Sequence, residues 1–117
     1  MAETDGKETP LFTKCYDLLL WLTPHVADFP HAQRFLLGRE LLDTAFGIYK
    51  LLVEARKTPS PARDAVLRQA DAQLESLRAE WRLASDLRCI NLKQYEHGAN
   101  LIGEVGRLLG AWRKSTG

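Results

Sequence analysis

Apolar residues recur along this chain at intervals of three and four, which is the spacing that places side chains on one face of an α-helix. The last of four such segments is the most regular. It opens with Asn91, a favourable N-cap, and Gln94 stands where its side chain can complete a capping box. The pattern predicts a helix over residues 91–112. Its predicted buried stripe is Tyr95, Ala99, Ile102, Gly106, Leu109 and Trp112.

Four glycines interrupt this last helix. Each costs an isolated helix about 1 kcal/mol relative to alanine, so neighbouring helices must hold the segment, and its backbone can approach them closely. We interpret the glycines as packing positions within the bundle or, alternatively, as part of an interface with a neighbouring subunit. The candidate interface positions are Gly98, Gly103, Gly106 and Gly110.

The first predicted helix covers residues 10–28, with Thr9 as N-cap and Pro10 in the first turn. Pro24 falls inside its apolar pattern. Because proline removes one backbone hydrogen bond and clashes with the carbonyl of Leu20, we expect a kink there. The polar residues 1–9 are predicted to be a frayed tail.

The second predicted helix starts at Pro30 or His31, since Phe29 before a proline avoids the helical region, and it ends near Lys57. Its predicted stripe is Phe35, Leu37, Leu41, Leu42, Ala45, Ile48, Tyr49 and Leu52.

Pro59 and Pro61 break the pattern before a third helix, predicted from Pro61 to Leu87 or Arg88 with Ser60 as N-cap. Its apolar positions follow a near-heptad spacing and its other positions are heavily charged. The predicted stripe is Val66, Ala70, Leu74, Leu77, Trp81, Ala84 and Leu87.

No segment alternates with a period of two, so no sheet is expected. Four long helices with short joints predict an all-α, antiparallel, up-down-up-down four-helix bundle. We assign residues 10–114 to this single domain and residues 1–9 and 115–117 to disordered tails.

The composition is that of an ordinary globular protein: 117 residues, 45% hydrophobic, with a formal net charge of +1. The longest apolar run, residues 18–22, is far shorter than the roughly 20 residues that span a bilayer. The first nine residues are polar, which does not fit a signal peptide. We predict a cytoplasmic protein without a membrane span, with Cys15 and Cys89 as small buried hydrophobes.

The motifs of common enzyme chemistry are not found in this sequence. A di-iron or di-manganese bundle needs Glu-x-x-His pairs on two helices, and no glutamate here has a histidine three residues later. His25, His31 and His97 lie on separate segments, without metal-ligand spacing. The sequence also carries no phosphate-binding loop and no nucleophile motif. We predict no enzyme activity, no metal and no cofactor.

The surface offers a second line of interpretation, because residues 56–114 contain eleven Lys or Arg against seven Asp or Glu. The third helix carries only arginine as its cation, and arginine binds phosphate in a bidentate manner. One interpretation is a solvated face whose arginines pair with Asp64, Asp71 and Glu75. The other is a basic end of helices three and four that contacts nucleic acid or a partner. The residues predicted for this contact are Arg68, Arg78, Arg82, Arg88, Lys93, Arg107, Arg113 and Lys114.

Two long sequence segments support a family assignment. LFTKCYDLLLWLTPHVADFPHAQRFLLGREL (residues 11–41) and LKQYEHGANLIGEVGRLLGAW (residues 92–112) resemble the four-helix bundle family of the accessory variability determinant proteins of diversity-generating retroelements. The same family includes proteins encoded in intervening sequences of bacterial 23S ribosomal RNA genes. The matching positions are Tyr16, Asp17, Trp21, Pro24, Phe29, Pro30, Arg34, Phe35, Gly38, Leu92, Tyr95, Glu96, Ile102, Gly103, Arg107, Gly110 and Trp112.

The resemblance implies a homopentamer, a barrel of five bundles. It also implies a non-catalytic subunit that binds a reverse transcriptase and helps it copy template RNA into mutagenised cDNA. The expected partners are therefore the reverse transcriptase and template RNA or an RNA/DNA hybrid. Accessory subunits of this kind are usually strongly basic, whereas this chain is nearly neutral, but five copies of a weak patch can hold a polyanion through multivalency. The alternative is a stand-alone oligomeric interaction module of the intervening-sequence type.

Overall fold

The computed structural model describes the backbone of residues 2–116 and the side chains of residues 8–115. Met1 and Gly117, which belong to the predicted tails, lie outside the described residues. The chain forms four helical segments, which we number in chain order: α1 (Ala2–Ala27), α2 (His31–Gln33, Arg34–Gly38 and Arg39–Arg56 in succession), α3 (Arg63–Asp86) and α4 (Leu92–Thr116). The described residues contain no strand, and the predicted all-α bundle is confirmed.

The four helices form a ring around one core. Each helix packs against the next along the chain, and α4 also packs against α1. Because the joints 28–30, 57–62 and 87–91 are short, consecutive helices must run antiparallel. The bundle measures 44 × 22 × 18 Å.

The core is built from the predicted apolar stripes, with Leu22, Leu41, Ile48, Leu74 and Leu109 essentially inaccessible to solvent. The Cys15 side chain lies among them, and burial raises the pKa of its thiol to about 12. The interpretation of Cys15 as a small buried hydrophobe is therefore confirmed, and its thiol stays protonated at neutral pH.

Trp81 of α3 joins the core directly to the backbone of α4. Its indole is buried, and its Nε1–H donates to the carbonyl oxygen of Tyr95 at 3.0 Å. A Cβ at Gly98 would lie 2.5 Å from that same nitrogen. Gly98 therefore leaves the space in which the indole rests on α4.

The start of α4 is the local feature that the sequence predicts best. The Gln94 N–H donates to Asn91 Oδ1 and the Asn91 N–H donates to Gln94 Oε1, both at 2.8 Å. This reciprocal capping box confirms the predicted N-terminus of the helix.

α1 begins at Ala2, so Thr9 and Pro10 lie inside the helix and the predicted cap at Thr9 is wrong. A tertiary contact holds this upstream turn. Glu8 is buried, its Oε1 accepts a hydrogen bond from Arg56 Nε at 2.7 Å, and the Arg56 guanidinium lies 3.7 Å from the centroid of the Phe12 ring. The helix continues past Pro24 as predicted, while the kink itself stays a prediction.

The predicted burial of Phe35 is wrong, because its side chain is 64% exposed. Residues Arg34–Gly38 form a π-helical turn, which takes more residues per turn than an α-helix and shifts the phase of the stripe. As a result Leu37 is buried, whereas Phe35 and Leu36 face solvent.

α3 begins at Arg63 rather than Pro61, and Ser60 is not its cap. Arg63 instead caps the C-terminal end of α2, because its Nε–H donates to the carbonyl oxygens of Ala55 and Thr58, both at 2.9 Å. At the other end the helix stops at Asp86, which leaves Leu87 outside the regular stripe and 45% exposed, contrary to its predicted burial.

A side-chain contact between Thr44 and Glu80 also crosses the α2–α3 interface. The Thr44 hydroxyl lies 3.0 Å from Glu80 Oε2, and the second oxygen, Oε1, is shielded from solvent without a hydrogen-bond partner. Burial raises the pKa of the Glu80 carboxyl, and the nearby Glu40 carboxylate raises it further. Ionisation of Glu80 is therefore less favourable in the folded state than in the unfolded chain.

Gly98→Ala is expected to lower the free energy of unfolding by about 1–3 kcal/mol, because the new methyl group overlaps the buried indole of Trp81. Gly110→Ala is the matched control. A Cβ there meets no atom within 4 Å, and alanine raises helix stability by up to about 1 kcal/mol. Urea unfolding measures both. Equal tolerance of the two substitutions would contradict the packing of Trp81 on Gly98.

Glu80→Gln is expected to raise the urea midpoint at about pH 7 and to leave it unchanged at about pH 3. The folded state raises the pKa of Glu80, so ionisation costs stability only once the pH exceeds the carboxyl's ordinary pKa. Glutamine keeps an acceptor for the Thr44 hydroxyl. Asp17→Asn, at an exposed carboxylate of α1 with no ion pair among the described residues, should change the midpoint at neither pH. A gain for Glu80→Gln that is independent of pH would exclude ionisation as the cause.

Candidate nucleic-acid and partner interface

The eight predicted contact residues are spread along the whole α3–α4 side of the bundle. Arg113 Nη1 lies 3.6 Å from Asp71 Oδ2, near the start of α3, whereas Arg88 and Lys93 flank the joint beyond its other end. Because Lys93 and Arg113 lie 20 residues apart on α4, the helix separates these groups by roughly 30 Å. The predicted single basic end is therefore wrong: the antiparallel pairing of α3 and α4 divides the residues between two ends.

Three of the four arginines within α3 are paired with acids of the same helix. Exposed pairs of this kind contribute little stability, but they compensate the local charge. The pairs are Arg68 with Asp64, Arg78 with Glu75 and Arg82 with Asp86. Together with the Arg113–Asp71 pair, they match the interpretation of α3 as a solvated, salt-bridged face.

Four of the predicted residues have no ion pair among residues 8–115: Arg88, Lys93, Arg107 and Lys114. All four side chains are exposed. Lys93, Arg107 and Lys114 are separated by multiples of seven residues, about 10.5 Å of helix for each seven, and so follow one line along α4. We call these three residues the α4 cation row. The uncompensated positive charge of this site therefore lies on α4 and the joint rather than within α3.

The four glycines of α4 have two kinds of surroundings. Gly98 faces Trp81, and a Cβ at Gly106 would lie 2.6 Å from Arg78 Nη2 and 3.1 Å from Leu74 Cδ2. Both glycines thus pack within their own bundle. Gly103 and Gly110 have open space on their Cβ side. The subunit-interface prediction therefore remains relevant for Gly103 and Gly110, which alternate with Arg107 and Lys114 along the exposed side.

A hollow of about 400 Å³ between α1 and α4 is a feature that sequence reasoning missed. Trp21 lines this hollow, and its ring stacks on His25 at 3.9 Å between centroids and lies 4.9 Å from the centroid of the His97 ring. Leu20 and Asp17 line its edge. His25 and His97 come from helices far apart in the chain, so no local spacing signals that both rings contact Trp21. Within the described residues, no group of three or more His, Cys, Asp or Glu side chains is placed to hold a metal ion.

Four leucines and Phe35 expose apolar surface at the end of the bundle that holds residues 87–91, which we call the joint end. The leucines are Leu36, Leu83, Leu87 and Leu92. The sequence placed Phe35 and Leu87 in the core, so it did not reveal this surface. The helices of the described region include none that is both long and apolar enough to cross a membrane.

Comparison with known proteins places this bundle in a family. No curated protein matches the sequence. The model of the bAvd-like family matches residues 11–116, a range that includes parts of all four helices, the α4 cation row and the joint end. The chain therefore belongs to the bAvd-like family, named after the Bordetella accessory variability determinant, a protein of diversity-generating retroelements.

Proposed function

We propose that this protein is a non-catalytic accessory subunit of a diversity-generating retroelement. It binds the reverse transcriptase and its template RNA, or an RNA/DNA hybrid, and so supports mutagenic cDNA synthesis. The observation that carries the proposal is the family match over residues 11–116.

The α4 cation row supports contact with nucleic acid. Lys93, Arg107 and Lys114 are exposed and have no acidic partner among the described residues, so they are available to phosphates. Gly103 and Gly110 keep the backbone between them open to close approach. Each phosphate neutralised by such a cation releases counterions, which makes binding depend on salt.

The proposed assembly is a homopentamer, which repeats the α4 cation row five times and compensates for the near-neutral net charge of one chain through multivalency. Gly103 and Gly110 share the exposed side of α4 with Arg107 and Lys114. That side can form a subunit interface or a nucleic-acid contact, but the same residues cannot serve in both. We favour nucleic acid, because a subunit interface would bury Arg107 and Lys114, which have no ion pair among the described residues.

A stand-alone interaction module of the 23S rRNA intervening-sequence type is the second candidate. The net charge of +1 and the paired arginines of α3 favour it. The genes beside this one separate the two functions: an adjacent reverse transcriptase gene with a repeat pair supports the retroelement subunit.

Arg107→Gln combined with Lys114→Gln is expected to weaken retention of template RNA by about tenfold or more at low salt, because two phosphate contacts are lost. The logarithmic salt slope should fall by roughly two. The measurement is RNA retention across a salt series by protein co-expressed with the reverse transcriptase of the same locus.

Arg68→Gln combined with Arg82→Gln is the matched comparison. It changes the net charge by the same amount but removes arginines that already have acidic partners, so it should cost clearly less RNA retention. Equal losses would show an effect of total charge rather than of the α4 cation row. If the wild-type protein associates with neither the reverse transcriptase nor the RNA at low salt, the proposed function is wrong.

Gly103→Leu is expected to keep both the fold and the oligomer while reducing RNA retention, because the leucine projects from the exposed side of α4 beside Arg107. Circular dichroism reports the fold and light scattering reports the mass of the assembly. Gly103→Ala is the control and should leave the fold, the oligomer and RNA retention unchanged. A folded protein that loses its oligomer would assign this side of α4 to the subunit interface instead.

A further inference from the structure

The joint end combines apolar surface with uncompensated positive charge. Leu36, Leu83, Leu87 and Leu92 are 72%, 46%, 45% and 68% exposed. The Thr44–Glu80 contact sets the register of α2 against α3, so that the start of α2, with Leu36, lies at the same end as the last turn of α3. Concentrated apolar exposure of this kind marks an interaction site more often than isolated exposed leucines do.

Arg88 ends α3 in an unusual way. Its φ is 63°, the only positive value at a non-glycine position in the described part of the chain. The Cys89 N–H donates to the Ala84 carbonyl at 2.8 Å, and the Arg88 N–H donates to the Ser85 carbonyl at 2.9 Å. These two bonds define a Schellman motif in which Arg88 occupies the position that usually holds glycine. A side chain with a Cβ is strained in this left-handed conformation.

The strain indicates that the Arg88 side chain has a use that glycine could not supply. The side chain is exposed and has no acidic partner among the described residues. It follows the exposed Leu87 directly, and Lys93, also unpaired, follows the exposed Leu92. The neighbouring Asp86 is already paired with Arg82 at 3.9 Å. Backbone strain of this kind concentrates at functional sites.

We propose that Leu36, Leu83, Leu87 and Leu92, together with Arg88, form a docking surface for an acidic amphipathic segment of a protein partner. The leucines would bury the apolar stripe of that segment, and Arg88 would bind one of its carboxylates in a bidentate manner. A protein fits better than RNA, because exposed leucines offer no contact to phosphate. This inference rests on the proposed function, since the partner tested is the reverse transcriptase.

Arg88→Gly distinguishes docking from a merely structural role. Glycine removes the strain, so the thermal midpoint should rise, while capture of the co-expressed reverse transcriptase should fall by about tenfold or more. RNA retention through the α4 cation row should persist. Lys57→Gly is the matched control: it removes an exposed cation at the end of α2, on the opposite end of the bundle, where φ is −91° and no strain exists to relieve. Lys57→Gly should neither raise the midpoint nor reduce capture.

Leu87→Gln combined with Leu92→Gln tests the apolar half of the surface. Both side chains are already exposed, so the fold should persist while capture of the reverse transcriptase falls. Leu20→Gln, at a 64% exposed leucine on the α1–α4 side, should leave capture unchanged.

The outcomes separate this inference from the proposed function. If the wild-type protein captures no reverse transcriptase, the proposed function fails and this partner assignment fails with it. If the wild type captures the enzyme and the Arg88 and leucine variants capture it equally well, the docking surface alone is wrong. If Arg88→Gly loses RNA but keeps the enzyme, the joint end contacts nucleic acid and the protein-docking inference is overturned.

Discussion

The contact between the Trp81 indole and the backbone of α4 is the constraint on which the rest of this bundle depends. The indole is the largest fully buried side chain, and its N–H is satisfied by the Tyr95 carbonyl. That hydrogen bond sets the axial position of α4 relative to α3. The absence of a side chain at Gly98 allows the two helices to pack closely. The edge of Trp21, 5.7 Å away between ring centroids, brings α1 to the same point.

This contact also decides which side of α4 faces solvent. Gly98 and Gly106 both contact α3, whereas Gly103 and Gly110 have open space on their Cβ side. These last two glycines are seven residues apart and so lie nearly on one line along the helix. Arg107 and Lys114 share that exposed side. Core packing around a tryptophan therefore determines where the free charge of the protein is presented, although none of these cations touches the core.

Local patterns predicted much of this fold because the forces behind them act over a few residues. The capping box of Asn91 and Gln94 and the stripes of α3 and α4 depend on near neighbours, and apart from Leu87 they appear as expected. Where prediction failed, a distant residue or an irregular turn decided the outcome. Glu8 is buried because Arg56 reaches it from α2, and Phe35 is exposed because a π-helical turn shifts the phase.

By itself, the sequence determined the four helices, their antiparallel order, the apolar stripes and the family resemblance. Helix periodicity and joint length are properties of short segments, and the chain encodes them residue by residue. Tertiary structure alone decided which glycines of α4 pack against α3, the contacts of His25 and His97 with Trp21, and the strained Arg88 beside exposed leucines. Each of these features depends on how one helix is rotated against its neighbour or on where a helix ends. The packing of the assembled core sets both, and no local sequence pattern encodes them.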